Sequence, residues 1–276
     1  MLERIPYQAC PLCGGKTIEP LVHYDCSNHP MYKTPLPNIM RWCRCPACTH
    51  VFTDGYFDEA ALAVLFSDTQ STQQPGTDDA ELGRYRWAQV VERVAAMAPS
   101  APQQGLEAAA SPGRWLDVGF GNGALILTAQ EWGFDPLAID LRQNSVSMLS
   151  ELGVPARRVA LEQLDEAGTF EVISMADVLE HMPFPPAALA SVHRLLVERG
   201  IVYISMPNSD TASWRSLDRK RKNPYWIEIE HYHNFTRARL QALLRQIGFD
   251  PIWYGISTRY KCSMELIARR RERAPD

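Results

Sequence analysis

Three groups of residues in the 276-residue chain have types and spacings that could do chemistry. The first is a pair of cysteine knuckles, Cys10-Pro-Leu-Cys13 and Cys45-Pro-Ala-Cys48. Two such pairs can present four thiolates to one ion, and zinc accepts them as a tetrahedron because it has no competing geometric preference. A four-thiolate site leaves no open position, so Cys10, Cys13, Cys45 and Cys48 are expected to hold a structural zinc. A metal-free structural or redox use of the same thiols is the alternative. Cys43 is out of phase with the second knuckle, and Cys26, His23 and His50 are substitutes with poorer spacing.

The second group is the run Trp115-Leu-Asp-Val-Gly119-Phe-Gly121-Asn-Gly123. Glycines here permit a tight turn and close approach of backbone to a ligand. The spacing is Gly-x-Gly-x-Gly, not the Gly-x-Gly-x-x-Gly of dinucleotide binders. Asp117, just ahead of the glycines, would oppose a pyrophosphate, which wants positive charge and free amides. It suits a ligand with an ammonium and a sulfonium. Asp140 follows Gly119 by 21 residues, where a carboxylate can accept hydrogen bonds from both hydroxyls of a ribose. Two plainer readings stand beside these: a structural strand-to-helix turn, and Asp140 as a helix N-cap.

The third group is His181, His231 and His233. A neutral imidazole near pH 7 can take the proton of a hydroxyl acceptor. His181 follows an apolar strand candidate. His231 and His233 flank Tyr232 and would share one face if that stretch is extended. The expected order of importance as base is His181, His231, His233. Each could instead be a hydrogen-bonded histidine that fixes a loop or lid. Residues 208–235 read as a long insertion, and its basic run Arg219–Lys222 could meet a phosphate; a solvated charged loop is the plainer reading.

These residues need elements to position them, and the chain divides by composition into 1–55, 56–113 and 114–276. Residues 1–55 are rich in Cys, Pro and His, with little periodicity, and need a metal staple to fold. Residues 56–113 read as a helical connector, interrupted by a polar loop at 67–79 and ending in a Pro-, Ala- and Gln-rich linker at 98–113. From Arg114 the pattern alternates. Strand candidates are Arg114–Val118, Pro136–Asp140, Phe170–Ala176, Gly200–Met206, Ile252–Ser257 and Met264–Ala268, with Arg158–Leu161 weakly marked. Helix candidates are Gly123–Trp132, Gln143–Leu152, Pro186–Val197 and Arg237–Ile247. Short, nearly continuous apolar strands alternating with helices predict a buried parallel sheet in a doubly wound α/β domain. The last two strands have no helix between them, so the last is expected to run antiparallel.

The glycine turn and Asp140 resemble the first motif and acidic second-strand end of class I S-adenosylmethionine (SAM)-dependent methyltransferases. Phe170-Glu-Val-Ile-Ser-Met-Ala-Asp-Val-Leu-Glu180-His181-Met-Pro resembles the fourth strand of the ubiquinone-type O-methyltransferase group, with Glu171 where Asp is usual. Gly200–Asn208 resembles its fifth strand, and His231-Tyr-His-Asn-Phe-Thr with the later Gly248-Phe249 resembles its closing segment. The third-strand region, Val154–Asp165, departs from the usual pattern. The resemblance covers about 155 residues. It implies a Rossmann-like, seven-stranded sheet with an antiparallel last strand and a small N-terminal zinc ribbon. It also implies SAM as cofactor, contacted by Asp117, Gly119, Phe120, Gly121, Asn122, Gly123, Asp140, Leu141, Ala176 and Asp177. The pairing of ribbon and SAM domain is similar to bacterial methyltransferases of sugars, polysaccharides and secondary metabolites.

The expected activity is methyl transfer to a small-molecule or glycan acceptor, at oxygen by preference. The rivals are an RNA base methyltransferase whose ribbon grips RNA, and a catalytically silent SAM-binding scaffold. A net charge of -4 counts against nucleic acid as partner. No apolar run reaches the length of a membrane span. Met1–Cys10 has no secretory h-region, so the expected compartment is the cytoplasm. The sequence does not fix the oligomeric state.

Overall fold

The computed structural model describes residues 2–67, 74–75, 78–100 and 113–272. Most of the expected polar loop at 67–79 and of the linker at 98–113 lies outside the described residues. The main sheet has seven strands: β6 (Arg114–Val118), β7 (Asp135–Asp140), β8 (Ala156–Arg158), β9 (Phe170–Ala176), β10 (Leu196–Pro207), β12 (Phe249–Ile256) and β13 (Ser263–Arg270). Their spatial order is β12-β13-β10-β9-β6-β7-β8. The β10, β9, β6, β7 and β8 neighbours pair in parallel, and β13 runs antiparallel to both β10 and β12. The Rossmann-like sheet with an antiparallel last strand is therefore present.

The central strands are nearly continuous runs of buried residues because helices cover both faces. These are α2 (Asp78–Ala95), α3 (Ala124–Glu131), α4 (Gln143–Glu151), α5 (Pro185–Leu195) and α7 (Arg237–Ile247), while the shorter α1 (Glu59–Leu65) packs with the N-terminal region. Leu116, Ile173 and Ile204 pack in one apolar cluster, and Trp115, Val172 and Tyr203 in another, as alternation across the pleat requires. Two elements differ from expectation. The third strand lies at Ala156–Arg158, ahead of Arg158–Leu161, where residues 161–163 form a 3-10 turn. Strand β10 begins at Leu196, four residues earlier than expected. An irregularity between Leu196 and Ile201, with Arg199 at φ 61°, lets the chain resume its register after α5.

The N-terminal region contains more strand than its composition suggests. Strands β2 (Glu19–Asp25), β3 (Ile39–Arg44) and β4 (Val51–Thr53) form an antiparallel sheet, and β1 (Ile5–Pro6) pairs with β5 (Gly55–Tyr56). The missing periodicity has a physical cause: β2 is exposed along its whole length, so it has no apolar face to reveal. The fourth strand of that sheet is β11 (His233–Asn234), from far along the chain, which pairs with β4.

The segment 208–235 is packed onto this sheet. It contains α6 (Ala212–Arg219), and its Trp214, Tyr225, Trp226 and Tyr232 are buried with Met40, Trp42 and Phe57. The Trp42 indole Nε1–H donates to the Trp226 carbonyl at 2.9 Å. Side chains of this size each contribute about 1.5–3 kcal/mol on burial, so this junction is a third apolar cluster and not a loose loop. The run Arg219–Lys222 is exposed.

Candidate functional site

Strands β6 and β9 are parallel neighbours, so the glycine turn after β6 and the segment after β9 emerge at the same sheet edge. Gly119, Gly121 and Gly123 all have positive φ. At Gly123 an added Cβ would lie 2.7 Å from Leu149 Cδ1 of α4, and the left-handed backbone, at φ 78°, itself favours glycine. At Gly121 an added Cβ meets nothing within 4 Å, so this backbone faces open space. The Asn122 side chain accepts from Ala124 N at 3.1 Å at the start of α3, and Phe120 is buried beneath the turn.

Asp117 is buried. The Ser174 hydroxyl donates to it at 2.6 Å, and the Trp115 indole donates to the Ser174 oxygen at 2.8 Å. Burial, reinforced by the nearby Asp140 charge and opposed by the Ser174 hydrogen bond, pushes its pKa up to about 7. Asp140 ends β7 and is clasped by Arg142, whose Nε and Nη2 lie 2.9 and 2.7 Å from its two oxygens. The Arg142 backbone amide also donates to it at 2.9 Å. The helix N-cap is Arg142, not Asp140. Three hydrogen bonds leave the carboxylate about one of its four lone-pair positions, so a ribose using both oxygens must share or displace the guanidinium. Leu141 is exposed beside it.

Ala176 ends β9, and Asp177 follows at φ 56°, in the left-handed region. Arg259, on the connection between β12 and β13, holds Asp177 through Nη1 at 2.7 Å and lies 4.1 Å over the Trp87 ring of α2. Composition and periodicity gave no signal for Arg259, because only the β12–β13 turn brings it back across the sheet edge.

Beyond Asp177, the ligand atoms of Glu180, His181 and His231 lie within 4.8 Å of one another. Glu180 is 1% exposed, and neither carboxylate oxygen has a hydrogen-bond partner among the described residues. Burial, then the Asp177 charge, holds its carboxyl well above the usual range. His231 is 7% exposed with no hydrogen-bond partner for Nδ1 among the described residues, and burial followed by the neighbouring His181 holds its pKa well below the usual value. The two rings meet edge to face at 4.7 Å. His181 Nδ1 lies 3.2 Å from the Glu230 carbonyl. Against the reading that His231 and His233 share a face, only His233–Asn234 is strand, and the rings have different partners. His233 lies outside this cluster. It is 1% exposed, with Nδ1 3.0 Å from His50 Nε2 and Nε2 3.0 Å from the Met182 carbonyl.

The four knuckle cysteines converge, with all sulfurs within 4.8 Å of one another. Cys10–Cys48 and Cys13–Cys45 are each 3.6 Å apart. A tetrahedron of thiolates around an ion at 2.3 Å has an edge of about 3.8 Å, so the set fits one metal ion. The knuckles are built alike. Gly14 N bonds the Cys10 carbonyl and Thr49 N the Cys45 carbonyl, with Gly14 and Thr49 both left-handed. Cys26 donates to the Asn38 carbonyl, Cys43 sits buried in β3, His23 lies on the exposed β2 and His50 is paired with His233, so none of them joins the group.

A family model described as a methyltransferase domain matches residues 80–253. The chain belongs to this methyltransferase family. The chain is 34% identical over 151 residues to a ubiquinone biosynthesis O-methyltransferase of Nitrosococcus oceani, covering 50% of this chain and 63% of the relative. The corresponding protein of Bordetella avium is 29% identical over 152 residues, covering 50% and 62%. The chain thus spans less than two thirds of the length of these relatives. Among solved structures, a magnesium protoporphyrin IX methyltransferase from Synechocystis has a TM-score of 0.58 at 18% identity, covering 77% of this chain and 100% of that one. A Burkholderia thailandensis 1,6-didemethyltoxoflavin-N1-methyltransferase has a TM-score of 0.54 at 22% identity, covering 83% and 99%. Both share the methyltransferase domain's fold. No described helix is long and apolar enough to cross a membrane.

Proposed function

We propose that this chain transfers the methyl group of SAM to a hydroxyl of a small-molecule or glycan acceptor. One observation carries the reading: the glycine turn and the Glu180–His181–His231 cluster share the edge formed by the parallel strands β6 and β9. Asp117 and the open backbone at Gly121 suit the cationic methionyl end of SAM, and Asp140 suits its ribose. Phe120, Asn122, Leu141, Ala176 and Asp177 complete the proposed contacts. SAM, when bound, supplies an electrophilic methyl carbon. The chain's own residues then align an oxygen with it and exclude water, and orientation of this kind can contribute on the order of 7–11 kcal/mol.

His181 and His231 are the proposed bases for the acceptor proton. Burial keeps His231 neutral near pH 7, which is the form that can accept. Both nitrogens of His233 are engaged, so its proposed part is to hold the loop after Glu180 in place. Residues 1–55 are proposed as a zinc-bearing ribbon, 56–113 as a connector and 114–276 as the catalytic domain, with the cytoplasm as compartment. The ubiquinone-type relatives support a small-molecule acceptor over RNA. The test is a screen of sugar nucleotides, glycans and phenolic metabolites with methyl-labelled SAM. Label on a hydroxyl of one of these supports the reading, and label found only on RNA overturns it.

A further inference from the structure

We propose that Arg259 is the binding residue for the carboxylate of the cofactor's methionyl end, an inference that rests on the reading of this chain as SAM-dependent. That end carries both signs of charge. Its ammonium and sulfonium suit Asp117 and the glycine turn, and its carboxylate needs a cation of its own. Strand β13 starts beside the end of β10, with Ser263 opposite Pro207, and β10 is parallel to β9. The β12–β13 turn that carries Arg259 therefore lies at the same sheet edge as the glycine turn. The Arg259 side chain is 9% exposed. Its Nη1 donates to Asp177 Oδ2 at 2.7 Å and its Nη2 to the Ser205 hydroxyl. A guanidinium has more N–H donors than these two bonds use. Nε is buried with no hydrogen-bond partner among the described residues. A buried donor is costly to leave unmade, and a ligand carboxylate can take Nε together with a neighbouring Nη in a bidentate pair.

The guanidinium is held ready for such a partner. It lies 4.1 Å over the Trp87 ring of α2, with the Tyr260 ring 5.5 Å away, so its plane is fixed before a ligand arrives. Burial raises the carboxyls of Asp117 and Glu180, and the Arg259 charge opposes that rise at both. Its field thus reaches the glycine turn as well as the segment after β9. This decides between the cofactor and the acceptor as the source of the carboxylate. In SAM the ammonium and the carboxylate share one carbon, so their partners must lie near each other, and Arg259 is close enough to act on Asp117. Other arginines near this edge are engaged or turned outward. Arg142 clasps Asp140 at the ribose end, Arg84 pairs with Glu131 at 2.6 Å, and Arg86 is exposed. Arginine is also the side chain whose planar fork matches a carboxylate, which the point charge of a lysine does not.

The experiment is calorimetric titration of the full chain with S-adenosylhomocysteine and with decarboxylated S-adenosylhomocysteine, which keeps the ammonium and lacks only the carboxylate. We expect wild type to bind S-adenosylhomocysteine about tenfold or more tightly than the decarboxylated form, the scale of one charge-assisted pair. In Arg259→Gln that preference should fall to about threefold or less, through weaker S-adenosylhomocysteine binding and unchanged binding of the decarboxylated form. Arg259→Lys keeps the charge without the fork and should show an intermediate preference; it carries the test if the glutamine variant fails to fold. Equal affinities of the two ligands for wild type overturn the pairing and leave the cofactor reading intact. A preference that survives undiminished in Arg259→Gln assigns the carboxylate to another cation and overturns it. An equal loss for both ligands in either variant makes Arg259 structural and overturns it too. Binding of neither ligand to wild type overturns the cofactor reading and this inference with it.

Discussion

A Cβ placed on Gly119 would lie 2.9 Å from Val178 Cγ2, so the turn after β6 touches the segment that carries Glu180 and His181. This contact couples the proposed cofactor turn to the proposed acceptor cluster. Gly119 is also left-handed, at φ 63°. Gly119→Ala adds both strain and a clash. The expected outcome is a loss of about 1–3 kcal/mol in stability and a weakened methyl transfer. Thermal unfolding and single-turnover transfer check it; wild-type values in both would show that the two segments are not coupled.

Asp117 sets a pH dependence whose sign follows from its environment. Its folded-state pKa is raised to about 7, so the folded chain holds a proton that the unfolded chain releases near pH 4. This contribution to stability is full below pH ~4 and is lost as pH rises through about 7, with an upper size on the order of 4 kcal/mol. The ligand-free protein should therefore gain from Asp117→Asn at pH 8 relative to pH 5. A cationic SAM favours the ionised form, so its affinity should rise with pH across 6–8, with proton release. Calorimetry in buffers of different ionisation enthalpy reads that release, and a pH-independent affinity counts against a contact between Asp117 and the cationic end.

The four-thiol cluster is coupled to the rest of the molecule. Cys10, Cys43, Cys45 and Phe52 pack in the same apolar cluster as Leu116 and Ile173 of the main sheet, and His50 bonds His233. The spacing alone suggests a ribbon that can unfold by itself. The packing predicts instead that Cys13→Ser removes the metal, lowers the melting temperature of the whole chain and slows methyl transfer. Elemental analysis should give one zinc per wild-type chain and well under one in the variant. A stoichiometry near zero in wild type, with all thiols freely titratable, contradicts the zinc assignment.

Replacing His181 or His231 by Ala should lower turnover by about 10²–10⁴ with SAM affinity nearly unchanged. His233→Gln should act through stability, since both its nitrogens hold backbone or His50. Steady-state rates across pH, with the acceptor found in the screen, distinguish the two effects. Near-wild-type rates and pH dependence in both alanine variants would leave catalysis to proximity and desolvation.

The parallel sheet was legible because buried strands carry continuous apolar runs, as at Ile201–Ile204, and the turn because glycine spacing is a backbone signal. The cysteine knuckles were legible for the same local reason. What the sequence concealed is non-local. β11 completes a sheet begun more than two hundred residues earlier, Arg259 returns across the sheet edge from a hairpin, and Trp42 bonds the Trp226 carbonyl of the distant segment. None of these leaves a periodicity. The exposed β2 likewise has none to show.

The most direct test of the central claim is calorimetric titration of the full chain with S-adenosylhomocysteine, SAM and NAD, alongside Asp140→Ala. The account predicts micromolar binding of the first two, roughly -8 kcal/mol. It predicts no binding of NAD, and a loss of about 1–3 kcal/mol in the variant through broken charge-assisted hydrogen bonds. Absence of binding by either SAM or S-adenosylhomocysteine, with NAD bound in their place, would contradict it.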